Sequence, residues 1–256
     1  MHDSRTDLRT LSTQIDHLFD LGKRVEAAAL LQTAINNSVD DRAYQLFFLS
    51  EAAGYLERNR RKQKECLLEA CAHEPDDPFI VKSVGVYFLV NGSERKAIKL
   101  FDRAISLDSS DHEPFRHKGL AYSNLGREKK AMEWFAKAVS INHSDNDALR
   151  QTGVSLSKLG KDREAIDWYR KSLIVNETDY DSMRQLAISL AMIGNYNAAV
   201  KWLNLALAVN PNDFESKRNL RLVIKKMTGE GETIFTRLLT FLGRKFATFW
   251  RGLLDR

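Results

Sequence analysis

The sequence has 256 residues, of which 43% are hydrophobic and 29% charged, an ordinary composition for a globular protein. It contains no run of about 18 uncharged apolar residues, which argues against a membrane-spanning helix. Residues 1–213 carry 29 basic and 30 acidic side chains, whereas residues 214–256 carry 10 basic and 4 acidic ones. Because the body is charge-balanced and residues 1–10 lack the apolar segment of a secretory signal, we expect a cytoplasmic protein that does not bind nucleic acid.

Residues 1–77 form the first predicted region and carry a weak periodic pattern of small and apolar side chains. Gly22, Ala27 and Leu31 hold this pattern between residues 8 and 39. Between residues 44 and 77, Glu51 and Gln63 replace small residues. We therefore expect degenerate repeat units in 1–77, with a small insertion near Asp41 as an alternative explanation of the second unit.

Residues 78–213 repeat a pattern of small and large side chains every 34 residues. Four columns share this spacing: Gly85, Gly119, Gly153 and Ala187; Gly92, Gly126, Gly160 and Gly194; Ala97, Ala131, Ala165 and Ala199; and Phe101, Phe135, Tyr169 and Leu203. A fixed period of this length is the sequence signature of a helical repeat protein.

This order of small and aromatic residues resembles the tetratricopeptide repeat, a pair of antiparallel helices. In the unit that begins at His112, Gly119 and Ala131 stand where two helices approach closely, and Gly126 stands where the first helix ends in a left-handed residue. The resemblance implies an all-α, right-handed superhelical solenoid of helix-turn-helix repeats. Four regular units are expected in 78–213, beginning at Pro78, His112, Asn146 and Tyr180.

Two further columns are predicted to line the concave groove that the first helices of such a solenoid form. The fifth position of successive units carries a cation, as Lys82, Arg116, Arg150, Arg184 and Arg218. The ninth position carries an apolar residue, as Val86, Leu120, Val154, Ile188 and Leu222. One helical turn separates the columns, so they predict a groove for a partner polypeptide with acidic groups beside apolar anchors.

An alternative explanation of the cation column is ion pairing within each helix. Glu113, Asp147, Asp181 and Glu215 lie three residues before the arginines, a spacing that favours intrahelical pairs. Some members of the family bind acidic chaperone tails through lysine, arginine and asparagine, but Val86, Leu120 and Val154 replace the asparagines here. A further column, Trp134, Trp168 and Trp202, is interpreted as packing between units, with self-association as the alternative.

The C-terminal region departs from the repeat. Residues 214–228 predict a capping helix with Leu220, Val223 and Ile224 on one face, and residues 229–232 predict a flexible linker. Residues 233–256 predict a basic amphipathic helix. Its apolar face includes Phe235, Leu238, Leu242, Phe246, Phe249 and Trp250, and its basic face Arg237, Arg244 and Arg251.

The apolar face of the helix predicted at 233–256 is expected to be covered, because so long an apolar patch is not expected to stay in water. Three alternatives remain for what covers it. The first is an anionic membrane surface, which suits arginines beside aromatic residues. The second is the groove of the same chain, which would make the helix autoinhibitory. The third is another protein.

Motifs for catalysis are missing from the sequence. It contains no phosphate-binding glycine loop, no His-Glu-x-x-His, no Gly-x-Ser-x-Gly and no dinucleotide fingerprint. No two of the six histidines lie three or four residues apart. We therefore predict a non-enzymatic scaffold without metal or cofactor, with a self-assembling structural protein as the alternative.

Overall fold

The computed structural model describes residues 2–228, with side chains from residue 5 onward. In this part of the chain there are thirteen α-helices and no strand. None of these helices combines the length and the apolar character that crossing a bilayer requires. The chain divides after Arg127 into two compact units, called unit 1 and unit 2. The predicted linker at 229–232 and the predicted amphipathic helix at 233–256 lie outside the described residues.

Unit 1 consists of seven helices. They are α1 (His2–Asp20), α2 (Arg24–Asn37), α3 (Arg42–Tyr55), α4 (Arg60–His73), α5 (Pro78–Val90), α6 (Glu94–Leu107) and α7 (Glu113–Asn124). Consecutive helices pack against each other, and each of α1, α3 and α5 also contacts the next odd-numbered helix. The odd-numbered helices are therefore the first helices of successive hairpins and lie side by side.

Unit 2 has six helices among its described residues. They are α8 (Glu128–Ile141), α9 (Asn146–Lys158), α10 (Asp162–Val175), α11 (Tyr180–Met192), α12 (Tyr196–Val209) and α13 (Phe214–Thr228). Here α9 contacts α11, and α11 contacts α13. A single core cluster runs through this unit, from Leu156 to Ile224.

The turns inside the hairpins use a left-handed residue, as the glycine column predicts. Gly126 has φ 70° and Gly160 has φ 75°, values that cost glycine little because it has no Cβ. Arg58 occupies the same place between α3 and α4 with φ 53°, although it is not glycine. The turn geometry is thus retained where the glycine is lost.

Close approach of the two helices of a hairpin explains the small-residue column. A Cβ added to Gly153 would lie 2.6 Å from the ring of Tyr169, and one added to Gly85 would lie 2.6 Å from the ring of Phe101. Both rings are fully buried. In the hairpin of α11 and α12 the same two positions hold Ala187 and Leu203, both fully buried. Alanine is larger than the glycine of the earlier hairpins, and leucine is smaller than their aromatic rings.

The hairpin of α3 and α4 is longer than the later ones. Its N-cap, Asp41, precedes the next N-cap, Asp77, by 36 residues instead of 34. The connection into α3 has the same length as the connection into α5, so an insertion near Asp41 is wrong. The extra residues are instead at the end of α3, which has 14 residues against 13 in α5, and in the turn at 56–59.

Helix α13 buries one side and exposes a basic one. Leu220, Val223 and Ile224 belong to the core of unit 2, as the sequence predicts. Arg221 stands at the position where Gly153 and Ala187 accept a second helix in the earlier hairpins. Arg221 is exposed, so this position carries a large charged residue in α13, and the capping role of α13 stays a prediction.

Candidate functional site

Aspartates begin the first helices throughout both units, and the sequence analysis did not single them out. Asp77, Asp111, Asp145, Asp179 and Asp213 recur every 34 residues. Asp77 accepts hydrogen bonds from the backbone amides of Phe79 at 2.9 Å and Ile80 at 3.1 Å. Asp41, Asp145, Asp179 and Asp213 accept equivalent bonds. A carboxylate there satisfies amides that the helix leaves without partners and favours the helix dipole.

In unit 2 the predicted cations bind these capping aspartates. Arg184 Nη1 donates to Asp213 Oδ2 at 2.7 Å, and its Nη2 donates to Asp181 on its own helix. Arg150 Nε lies 3.5 Å from Asp179 Oδ2, and its Nη2 donates to Asp147. Each arginine therefore joins the first turn of its own helix to the N-cap of the next first helix.

A similar connection occurs in unit 1, where a lysine binds Asp111, the residue before the N-cap His112 of α7. Lys82 Nζ donates to Asp111 Oδ2 at 2.8 Å and also to Glu113. Burial alone would raise the pKa of Glu113, but the charges of Lys82 and Arg116 lower it to about 2. Burial likewise opposes the charge on Lys82, yet Glu113 and Asp111 raise its pKa. Both partners are thus held in their charged forms.

A denser network surrounds Asp77 in unit 1. Arg9 Nη2 lies 3.1 Å from Asp77 Oδ2, and the Tyr44 hydroxyl donates to the same oxygen at 3.3 Å. Arg9 Nε donates to the Tyr44 hydroxyl at 2.6 Å. Arg5 adds bonds to Asp41 at 2.7 Å and to Glu74 at 2.8 Å. These α1 arginines fall outside the 34-residue column, so only the fold reveals them.

The cation column is therefore largely engaged in ion pairs. The intrahelical pairs that the spacing predicts are present, including Arg116 to Glu113 at 3.8 Å and Arg218 to Glu215 at 3.6 Å. The Arg184 side chain is 16% exposed, whereas that of Arg218 is 62% exposed. The next 34-residue step after Asp213 is Ala247, so no capping aspartate follows Arg218 in the sequence.

The apolar column is half-buried along most of its length. Val86 and Leu120 pack against the core cluster around Leu89 and Ala121 in unit 1. Val154 packs against the core of unit 2, Ile188 is partly buried, and Leu222 is 51% exposed. We call the residues at these two positions of α9, α11 and α13 the first-helix face of unit 2: Arg150, Val154, Arg184, Ile188, Arg218 and Leu222.

The tryptophan column packs against its neighbours. Trp168 and Trp202 are partly buried against the core of unit 2. The ammonium groups of Lys137 and Lys171 lie 4.1 and 4.2 Å from the rings of Trp134 and Trp168. Both observations favour packing as the explanation of this column.

The described residues offer little for metal or small-molecule chemistry. They contain no group of three or more His, Cys, Asp or Glu side chains placed to hold a metal ion. A polar cleft of about 470 Å³ lies in unit 1 beside Arg5, Asp41 and His73. Its main charges already bind each other, since Arg5 contacts Asp41. The first-helix faces are therefore the better candidates for a site.

Comparison with known proteins identifies the type of repeat. Residues 117–145 match the family model of the tetratricopeptide repeat. The chain is similar in structure to PilW, a type IV pilus biogenesis factor, with a TM-score of 0.66, 17% identity and coverage of 83% of this chain and 98% of PilW. TTC0263, a tetratricopeptide-repeat protein of the thermophile Thermus thermophilus, gives a TM-score of 0.62, 16% identity and coverage of 71% and 98%.

YrrB, described as a tetratricopeptide-repeat protein with an unusual peptide-binding site, gives a TM-score of 0.52, 17% identity and coverage of 74% of this chain and 96% of YrrB. No curated protein sequence matches the chain. The chain therefore contains tetratricopeptide repeats and has the all-α fold of these repeat proteins, as the spacing of its small residues predicts. This fold supports a role as a scaffold for protein interactions.

Proposed function

We propose that the chain is a non-enzymatic scaffold that binds a partner polypeptide along its first helices, while the C-terminal residues 233–256 attach it to an anionic membrane surface or to a second protein. The observation that supports this best is the first-helix face of unit 2. There, half-buried apolar side chains lie one turn from arginines whose orientation is fixed by ion pairs. YrrB, with the same fold, is described as having a peptide-binding site.

The ion pairs refine the partner that this face suits. Arg150 and Arg184 are balanced by Asp147, Asp179, Asp181 and Asp213. Apolar contact with Val154 and Ile188 therefore supplies most of the affinity in the middle of the face. Among the described residues Arg218 has a single exposed partner, Glu215, and it is the most exposed cation of the column. We expect a partner segment with apolar anchors and a carboxylate directed at α13.

The test uses fluorescent twelve-residue peptides as probes, in acidic, neutral and basic sets that share the same apolar anchors. The double variant Val154→Ser and Ile188→Ser should weaken binding of every set at least about tenfold, since two half-buried apolar contacts are lost. Arg218→Glu should weaken only the acidic set. Ile174→Ser, which changes an apolar side chain that is 84% exposed on α10, is the matched control.

Thermal melting of each variant separates loss of binding from loss of fold. Equal binding by wild type and the Val154/Ile188 variant would contradict a site on the first-helix face. Equal loss with Ile174→Ser would indicate nonspecific apolar adsorption instead. Light scattering of the full chain tests the alternative of self-assembly, because a structural polymer would increase in mass with concentration.

A further inference from the structure

Helix α13 presents an exposed basic surface at the end of the described chain. Five cations are exposed there: Lys217, Arg218, Arg221, Lys225 and Lys226. Glu215 is the only acidic residue of the helix. The side chains of Lys217, Lys225 and Lys226 make no ion pair or hydrogen bond with any described residue. By contrast, Lys62 contacts Glu57 and Lys161 contacts Glu164.

Two large apolar side chains lie among these cations. Phe214 is 69% exposed and Leu222 is 51% exposed. Helical spacing places Phe214, Arg218, Arg221 and Lys225 on one stripe, with Leu222 one turn from Arg218. An aromatic and an aliphatic side chain within a stripe of arginine and lysine is the composition of an interfacial helix surface.

The remaining C-terminal sequence does not suit this surface as an occupant. Residues 229–256 carry five basic and three acidic side chains, so they have the same sign of charge as α13. Like charges disfavour docking of this segment onto the α13 surface. They are instead compatible with a single anionic surface that contacts α13 and the following residues together.

We propose that the exposed side of α13 binds the anionic headgroups of a phospholipid bilayer. The five cations extend over a helix of 15 residues, which is about 22 Å long, so a flat charged surface can contact them together. Phe214 and Leu222 then contact the boundary between headgroups and acyl chains. This inference rests on the attachment part of the proposed function and names its partner, whereas the binding of a polypeptide at Val154 and Ile188 is a separate property.

The test is co-sedimentation of the full chain with vesicles of neutral phosphatidylcholine, with and without 30 mole per cent phosphatidylserine. The wild type should bind only the anionic vesicles, and binding should weaken as salt screens the charges. The variant Lys217→Glu, Lys225→Glu and Lys226→Glu should lower the partition coefficient at least about tenfold. The matched control, Lys64→Glu, Lys99→Glu and Lys201→Glu, changes the net charge equally at exposed lysines elsewhere and should bind within about twofold of wild type.

Circular dichroism confirms that each variant is folded, and a Lys→Gln version of the α13 variant provides a second, milder test. Equal binding by wild type and the α13 variants would overturn the proposal, as would equal loss in the control. Absence of wild-type binding to anionic vesicles would also overturn it. If the wild type bound soluble polyglutamate but not the vesicles, the surface would be assigned to an acidic polypeptide instead. None of these outcomes bears on the peptide-binding test at Val154 and Ile188, so failure of either proposal is recognised separately.

Discussion

Units 1 and 2 meet the same structural requirement with different residues. In both, an aspartate at the start of a first helix is held by a cation from an earlier first helix. In unit 2, one arginine serves each of two aspartates, as Arg150 serves Asp179 and Arg184 serves Asp213. In unit 1, Asp77 is contacted by Arg5, Arg9 and Tyr44 together. The regular first helices are thus joined by one repeated pair, whereas Asp77, which follows the irregular hairpin of α3 and α4, is held by a local network.

The difference extends to the small-residue column. Unit 2 has Gly153 and Ala187 where its helices approach. Unit 1 has Leu49 at the corresponding place in α3, eight residues after the N-cap Asp41, and the glycine of this helix, Gly54, approaches Gln63 instead. Burial, together with the charge of Asp16, raises the pKa of Glu51 to about 8. The irregular hairpin therefore carries a partly buried carboxyl group two residues after the position that a small residue takes in the regular hairpins.

The largest effect is expected from removing the most heavily contacted aspartate. Asp77→Ala should lower the free energy of unfolding by about 3–5 kcal/mol, because a helix cap and a buried ion-pair network are lost together. Asp213→Ala should cost about 1–2 kcal/mol, since one cap and one arginine are involved. Urea denaturation followed by circular dichroism measures both.

The control for these aspartates is Asp76→Ala, which removes a carboxylate that is 79% exposed and pairs with Arg103. Its expected cost is below about 0.5 kcal/mol. Equal losses for Asp77→Ala and Asp213→Ala would show that the network in unit 1 adds nothing beyond a single pair.

A second effect should be the same in both units, because both use glycine against an aromatic ring. Gly153→Ala should cost about 1–3 kcal/mol, since its Cβ must displace the buried ring of Tyr169. Adding Tyr169→Leu should recover much of this loss, because the last hairpin already pairs Ala187 with Leu203. The corresponding pair in unit 1 is Gly85→Ala with Phe101→Leu. Additive costs in the double variants, measured by the same denaturation, would contradict this account of the small-residue column.

The repeat itself was readable from sequence because its causes are local. Gly126 and Gly160 mark turns that need a left-handed residue, and Gly153 marks a close helix approach. The aspartate column was equally visible at Asp77 and Asp213, but its meaning depends on knowing where each first helix begins. Acidic residues three positions before each arginine predict only the intrahelical pairs and do not reveal the pairs 29 residues later in the chain, such as Arg184 with Asp213.

Other features could not be read from the sequence. Arg9 reaches Asp77 across 68 residues, and this contact depends on how α1 packs beside α3 and α5. Periodicity left a small insertion in the second repeat open, but it predicted the position near Asp41 and not at the end of α3. The partner role of the first-helix face stays a prediction, because an arginine with a fixed ion pair and an arginine poised for a ligand have the same sequence pattern.

The raised pKa of Glu51 in unit 1 predicts a pH dependence of stability that exposed carboxyl groups in unit 2 do not share. Its folded pKa of about 8 lies above the ordinary value of 4.5, so the contribution of Glu51 to stability is greatest below pH 4.5 and is lost as the pH rises through 8. Glu51→Gln should therefore leave stability unchanged at pH 4 and raise it by about 1–3 kcal/mol above pH 8. Melting curves across this range test the sign. Glu177→Gln, an exposed carboxyl group in unit 2, should show no such pH dependence.

The smallest effect is expected at the end of the cation column, where a comparison within unit 2 is possible. Arg184→Ala should cost about 1–2 kcal/mol, because it leaves Asp213 and Asp181 without their shared cation. Arg218→Ala should cost less than about 0.5 kcal/mol, since its pair with Glu215 at 3.6 Å is exposed and intrahelical. A large loss at Arg218, measured by urea denaturation, would mean that this arginine serves the stability of α13. A negligible loss leaves it available for binding, which is the role that the first-helix face and the α13 surface both assign to it.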